Sequence, residues 1–232
     1  MAYWGFDSAS SVSSSTLACL ASSGAPTDEI KFILRYLDTV VPKHDGLTTA
    51  EVDLIHGQGI ALGLIHGNIQ HVQPLTFTDG VNNAKGASTA AEALGVPTYV
   101  ALYADLGASY SSDVSAAFIE GYAYEMTLNT PYHPGFYGPF DDGSSLATQF
   151  ATAFNDSTYG TYVQGSLVWN NQPNGGEAGC TIIADAPAYA PTAPPGTTYG
   201  TPPVWQYAIK CGCDIDEDLS TIPPTSDRWW QP

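Results

Sequence analysis

Short apolar runs alternate along the chain with longer stretches whose apolar residues recur every three or four positions, a pattern that predicts strands and helices taking turns. Tyr3–Asp7 reads as a strand end, followed by a Ser-rich loop and an amphipathic stretch, Ser14–Ser23, that stops at Gly24. Lys31–Leu37 is a second strand. Thr48 and Glu51 have the spacing of a capping box and open a helix, after which Gly59 precedes a third strand, Ile60–His66. Thr78 or Asp79 caps an Ala-rich helix that runs to Leu94 and is stopped by Gly95 and Pro97; Thr98–Asp105 is the most strand-like run of all. A helix over Asp113–Leu128, a strand at Pro134–Gly138, a helix over Ser144–Phe154 and a strand at Gly165–Asn170 continue the series.

Such alternation calls for parallel strands joined by crossover helices, in a barrel or a doubly wound sheet. Beyond Asn171 the pattern degrades into a Pro-, Gly-, Ala-, Thr- and Tyr-rich tract, and Val204–Ile209 returns as a final strand. A terminal strand must pair somewhere, and closure beside the first strand favours a barrel. The expected fold is therefore α/β: one (β/α) barrel of TIM type over residues 1–232, incomplete or irregular in its last third, with a Pro-rich loop at about 185–203.

Composition narrows the function classes. The 232 residues are 44% hydrophobic and 12% charged, enough apolar surface for a core. Six Lys and Arg against 23 Asp and Glu leave a formal charge of −17, which repels phosphate backbones and anionic lipids, so no nucleic-acid partner is expected. No apolar run approaches the roughly 20 residues of a membrane span, and no secretion signal is visible at Met1–Asp7. Among the four cysteines, a bridge from Cys180 to Cys211 or Cys213 is favoured over zinc, because only one close pair exists and no His lies near it. Such a bridge implies an oxidising destination. No cofactor or metal is expected.

Candidate chemistry lies at the carboxyl ends of the strands, where barrel enzymes build their sites. Asp7 ends the first strand, Arg35 and Tyr36 lie near the end of the second, His66 closes the third, Asp105 the fourth, Tyr137 the fifth and Asn170 the sixth; Gln206 and Tyr207 lie on the last, with Asp214 and Asp216 just beyond. Closure would let Asp7, Asp105 and Asp214 converge on a pocket lined by Tyr103, Tyr137 and Trp205. Two carboxylates facing across an aromatic pocket suit glycoside hydrolysis, one donating a proton and the other staying ionised, while the rings present flat apolar surface to sugars.

The order and spacing of Gly5-Phe6-Asp7, Phe32–Leu37, Leu47–Glu51, the Gly-Ile-Ala-Leu-Gly-Leu-Ile run from Gly59 and Ala90–Pro97 before a strand ending in Asp105 resemble the glycoside-hydrolase-like domain of unknown function type 1906, a relative of the family 25 lysozymes. The resemblance spans Gly5 to about Asp216 and implies an actinobacterial secreted or phage-associated setting. In the lysozymes the matching positions hold an Asp at the first strand, an Asp-x-Glu at the fourth whose Glu is the proton donor, and Trp-Gln-Tyr followed by Asp. Here Asp7, Asp105, Trp205-Gln206-Tyr207 and Asp214 match, but Gly107 stands where the Glu should be. The resemblance thus implies a carboxylate-lined sugar groove without its expected acid, a role that Asp105 could take if the pocket raised its pKa.

The remaining features have ordinary structural readings. His66 and His71 could ligate a metal with Asp105, but a strand-end His more often simply hydrogen-bonds. Arg35 is expected to pair with a pocket carboxylate. Asp214, Asp216, Glu217 and Asp218 read as a solvated acidic turn, and Gly175-Gly176 as a plain turn. Trp229 and Trp230 either cover the barrel bottom or anchor a neighbouring subunit.

Two functions follow as expectations. One is a protein that acts on or binds a peptidoglycan-like extracellular polysaccharide, with Asp7, Asp105 and Asp214 as catalytic residues and Arg35, His66, Tyr103, Tyr137, Trp205, Gln206 and Tyr207 against the glycan. The other is a catalytically degenerate barrel serving carbohydrate binding, homo-oligomerisation or assembly into a virion or surface structure.

Overall fold

The apolar runs become the staves of a closed barrel, β1 to β8 in chain order, in a computed structural model that describes residues 1–69, 74–107, 113–173, 179–181 and 183–232. The elements are β1 (Tyr3–Ser8), α1 (Ser14–Ser22), β2 (Phe32–Tyr36), α2 (Thr49–His56), β3 (Ala61–His66), α3 (Phe77–Leu94), β4 (Ala101–Asp105), α4 (Ala116–Asn129), β5 (His133–Gly138), α5 (Ser145–Phe154), α6 (Gly160–Gln164), β6 (Leu167–Asn171), β7 (Val204–Cys211) and β8 (Ile215–Ser220). His71 and Gly175-Gly176 lie outside the described residues. The fold is α/β, of TIM-barrel type. Local signals set several helix starts: Thr48 caps α2 by accepting from the Glu51 N–H, while α3 starts earlier than the sequence suggests, through a reciprocal Thr76/Asp79 capping box.

Strands β1 to β7 run parallel, but β8 is antiparallel to both β7 and β1 and sits between them. Closure therefore does not bring β7 against β1, as the sequence reading expects. The strand that intervenes is the stretch read as an acidic turn. Its sequence Ile-Asp-Glu-Asp-Leu-Ser has poor strand propensity, yet it alternates: Ile215 and Leu219 pack outside among the covering elements, while Asp216 and Asp218 turn into the barrel. Burial with hydrogen-bond partners, not intrinsic preference, makes it a strand.

The last third is irregular in a defined way. No α-helix follows β6 among the described residues; the Pro-rich excursion covers the barrel instead, and Tyr199 fastens it by donating to Ser166 O while accepting from the Val168 N–H, each at 3.0 Å. Two disulfides, Cys180–Cys211 and Cys19–Cys213, pin this sector. Cys211 is thus the partner of Cys180, and Cys19 takes Cys213. Cys180 and Cys211 also lie near Glu217, but their sulfurs are consumed in the bridge.

Apolar side chains form two layers. Trp4, Phe6, Leu62, Leu64, Leu102 and Phe136 face outward under the helices, whereas Phe32, Leu34, Ile65, Tyr103, Tyr137 and Trp169 fill the barrel. Trp229 completes the interior from below, stacked on Phe32 with ring centroids 4.9 Å apart. Only glycine at position 63 leaves room for it, since a Cβ there would lie 2.6 Å from the Trp229 ring. Trp230 exchanges backbone hydrogen bonds with Leu62 and meets His56 edge-on. The chain's own packing buries both rings, so they do not provide the subunit anchor considered above.

Candidate active site

Parallel β1 to β7 bring their carboxyl ends to one rim, and β8 starts at that rim because it runs the other way. Side-chain parity then decides which residues enter the barrel. Asp7 from β1, Tyr36 from β2, Asp105 from β4, Tyr137 from β5, Asn171 from β6, Gln206 from β7, and Asp216 and Asp218 from β8 are linked into networks at this mouth. Asn171 Nδ2 donates to the Tyr137 hydroxyl at 2.7 Å, and that hydroxyl donates to Gln206 Oε1 at 3.0 Å. Gln206 Nε2 donates to Asp7 Oδ2 at 2.5 Å and reaches Asp216 Oδ2 at 3.3 Å. Below them Trp169 Nε1 donates to Asp218 Oδ1 at 2.8 Å. Across the mouth, Asp105 accepts from the Gly107 N–H at 2.9 Å and from the Tyr36 hydroxyl at 3.2 Å.

This is a set of carboxyls with too few donors. Burial, reinforced by the Asp216 charge, holds Asp7 well above the ordinary carboxylate range, and burial together with Asp7 does the same to Asp218. Burial raises Asp105. Asp216 is raised by burial, with the Asp214 charge behind it, against the pull of the Lys210 N–H. Among the described residues no N–H or O–H reaches Oδ2 of the fully enclosed Asp218, whose carboxyl faces that of Asp7. A hydrogen bond between two carboxyl groups requires a proton on one of them, so this pair titrates as a unit.

These shifts have a consequence for stability. Carboxyls raised in the folded state hold protons that the unfolded chain releases above about pH 4. The folded state then binds more protons, and stability falls as pH rises from the ordinary carboxylate value through the raised values. Asp218→Asn, which mimics the protonated form, is expected to raise the melting temperature at pH 7 to 8 and to flatten its pH dependence. Thermal unfolding across pH 4 to 8 checks this; a lower melting temperature for the variant at pH 8 would contradict it.

Of the residues singled out by sequence, Asp7, Asp105, Tyr103, Tyr137 and Gln206 lie inside the barrel. Tyr103 sits deeper, edge-on to Trp169 with centroids 5.9 Å apart. Tyr36 and Asp216, likewise at strand ends in the sequence, line the mouth too, whereas Arg35, His66, Asn170, Trp205, Tyr207 and Asp214 do not; Asn170 accepts from the Phe140 N–H and donates to Thr192 O. Arg35 follows inward-facing Leu34 and so points out, where its Nε meets Glu51 Oε1 at 2.6 Å; it pairs with a helix carboxylate rather than a pocket one. His66 follows inward-facing Ile65 and points out to Asp38, with Nδ1 3.2 Å from Oδ1, beside a cavity of about 630 Å³ under α3. Trp205 and Tyr207 flank Gln206 and face outward for the same reason: Trp205 donates to Gln172 O, and Tyr207 donates to Glu217 Oε2. Asp214 is exposed in the β7–β8 turn, where it accepts from Ser10 Oγ. The acids that β8 sends inward are Asp216 and Asp218. Their Asp-x-Asp spacing was the available signal. Tyr36 carries no role in the sequence reading, and Asn171 lies one residue beyond the strand end predicted there.

Gly107 lies against both halves of the mouth. A Cβ built there would lie 2.9 Å from Asp105 Oδ1 and 3.4 Å from the Tyr137 ring, so a side chain at this position would press on the Asp105 carboxyl.

Comparisons place this arrangement among known proteins. Residues 26–198 match the family model described as Rv2525c-like, glycoside hydrolase-like domain. Among curated proteins none matches the chain. Among solved structures, an uncharacterized B. stearothermophilus protein aligns at 27% identity and a TM-score of 0.85, covering 98% of this chain and 100% of that one. The Mycobacterium tuberculosis Tat-secreted protein Rv2525c, in complex with L-tartrate, aligns at 17% identity, 98% coverage of both chains and a TM-score of 0.60. A muramidase from Acremonium alcalophilum aligns at 14% identity, 97% coverage of both chains and a TM-score of 0.57.

Proposed function

Since the chain belongs to the Rv2525c-like, glycoside hydrolase-like domain family, we propose that it binds a cell-wall or other extracellular polysaccharide across the barrel mouth and cleaves it with the carboxyls gathered there. The observation that carries this reading is the Asp7–Gln206–Tyr137 network facing Asp105, with buried carboxyls raised above the ordinary range at a rim where a sugar can enter. The muramidase neighbour supports the cell-wall class of glycan. Two disulfides suit an extracellular setting.

Each residue then has a part. Asp105, whose carboxyl burial raises above the ordinary range, donates its proton to the glycosidic oxygen as the C–O bond breaks. The Asp7–Asp218 pair, once it has released one of its two protons, places a negative charge on Asp7, which stabilises the positive charge developing on the sugar ring. Water adds to that carbon and returns a proton to Asp105. Gln206 and Tyr137 hold Asp7 in place, and Tyr36 orients Asp105.

Gly107 favours a second reading, binding without turnover, because the position of the lysozyme acid is empty of a side chain. Both readings meet in one experiment. The wild type is incubated with insoluble peptidoglycan and with chitin, and sedimentation and released reducing ends are measured beside Gly107→Glu. Co-sedimentation with reducing ends supports hydrolysis. Co-sedimentation without release, acquired in Gly107→Glu, supports binding alone. A protein that stays in the supernatant in both cases overturns the glycan assignment.

A further inference from the structure

We propose that Asp216 is a positioning residue that sets how firmly Asp7 holds its proton, and that the Cys19–Cys213 disulfide keeps Asp216 in place. The proposal rests on the reading of the mouth as the functional site. Asp7 and Asp216 are direct partners across the antiparallel β1–β8 ladder, which sets their Cβ atoms about 4.5–5.5 Å apart on one face. A single amide nitrogen, Gln206 Nε2, serves both carboxylates. Asp218 is fully enclosed and Asp7 nearly so, whereas Asp216 is only partly buried, and so it is the member of the cluster through which bulk water can exchange a proton.

The backbone that carries Asp216 is held from several sides. The Lys210 N–H donates to its Oδ1. Lys210, Cys213 and Asp214 all have left-handed backbone, with φ of 55°, 69° and 63°. Non-glycine residues persist there only where their surroundings over-determine them. Those surroundings are the bridge from Cys213 to Cys19 on α1, the bridge from Cys211 to Cys180, the Ser8 hydroxyl donating to Asp214 O at 2.9 Å, and the Ser10 hydroxyl donating to Asp214 Oδ2 at 2.5 Å. Releasing Cys213 frees the turn to relax and Asp216 to move away from Asp7.

Among the described residues, the ionisable groups facing Asp7 are Asp216 and Asp218 from β8, Asp105 from β4 and Tyr137 from β5. Those facing Asp216, again among the described residues, are Asp7 from β1, Asp218 on its own strand, and Asp214 and Lys210 from the turn. Of these, only Lys210 is a cation. Loss of the Asp216 charge therefore removes a like charge beside Asp7 and moves Asp7 to titrate at lower pH.

The test is a carbon NMR titration of aspartate carboxyls in the full chain, with the Asp7 signal assigned by its loss in Asp7→Asn. In Asp216→Asn the Asp7 midpoint is expected to move to lower pH. The same direction is expected in the double variant Cys19→Ser/Cys213→Ser, its fold checked by circular dichroism; Ser10→Ala, which loosens the turn with the disulfides intact, stands in if the cysteine variant does not fold. An Asp7 midpoint that stays put in Asp216→Asn overturns the role given to Asp216. One that moves there but not in the folded turn variant overturns the role given to the disulfide. The readout is taken on the free protein, so failure here is distinguishable from failure to bind glycan.

Discussion

Asp105→Asn is expected to reduce release of reducing ends from a susceptible polysaccharide by about 10²- to 10⁴-fold, the usual contribution of a positioned general acid, while co-sedimentation with the polymer changes little. The amide keeps the shape of the carboxyl and can still accept from the Gly107 N–H, so the mouth is not dismantled. What it lacks is the exchangeable proton. Because burial raises the Asp105 pKa, wild-type hydrolysis should fall as pH rises through that raised value, and the descending limb should disappear with the residue. Residual activity equal to wild type in Asp105→Asn would remove Asp105 from the chemistry and leave the Asp7 side of the mouth to supply the proton.

Arg35→Met is expected to be the most damaging substitution outside the barrel, costing about 3–5 kcal/mol, the range for breaking a buried ion pair from one side. The guanidinium is wholly buried. Its Nε bonds Glu51, its Nη1 donates to Ser8 O, and its Nη2 donates to Asp45 O at 3.1 Å. Glu51 in turn accepts from the Val12 N–H at 2.7 Å. Removing Arg35 leaves the Glu51 carboxylate enclosed with one backbone donor and unties the loops after β1 and β2. For a chain of this size the loss corresponds to a fall of about 10 °C in melting temperature, measurable by calorimetry. Arg35→Met/Glu51→Leu should recover much of the loss, since no unpaired charge then remains; a double variant no more stable than the single would show that the loop contacts, not the ion pair, dominate.

The barrel and part of its mouth were legible in sequence, and the misreadings share one cause. Strand ends such as Asp7 and Asp105 stand out because an apolar run stops on an acid, and both acids do enter the barrel. Parity within a strand is harder to read when both faces are buried, since near-continuous apolar runs erase the alternation. Arg35, His66, Trp205 and Tyr207 were each one residue out of phase with the interior, a displacement that sends a side chain to the opposite face. The eighth strand was hidden for another reason: its acids look solvated until Trp169, Gln206, Tyr207 and the Lys210 N–H are known to lie beside them. Asp214, the acid nearest the Trp-Gln-Tyr run, was chosen in place of Asp216 and Asp218 because nothing local reveals that the chain reverses between them.

That reversal also decides where the two ends of the polypeptide emerge. An eighth strand parallel to the rest would finish at the rim and release the C-terminus over the opening. Running backwards, it finishes with Ser220 opposite Tyr3 at the far base, and the closing Trp229 seals that base from within. Anything appended at either end, whether an affinity tag or a surface tether, therefore stands a full barrel height from the opening and leaves it clear.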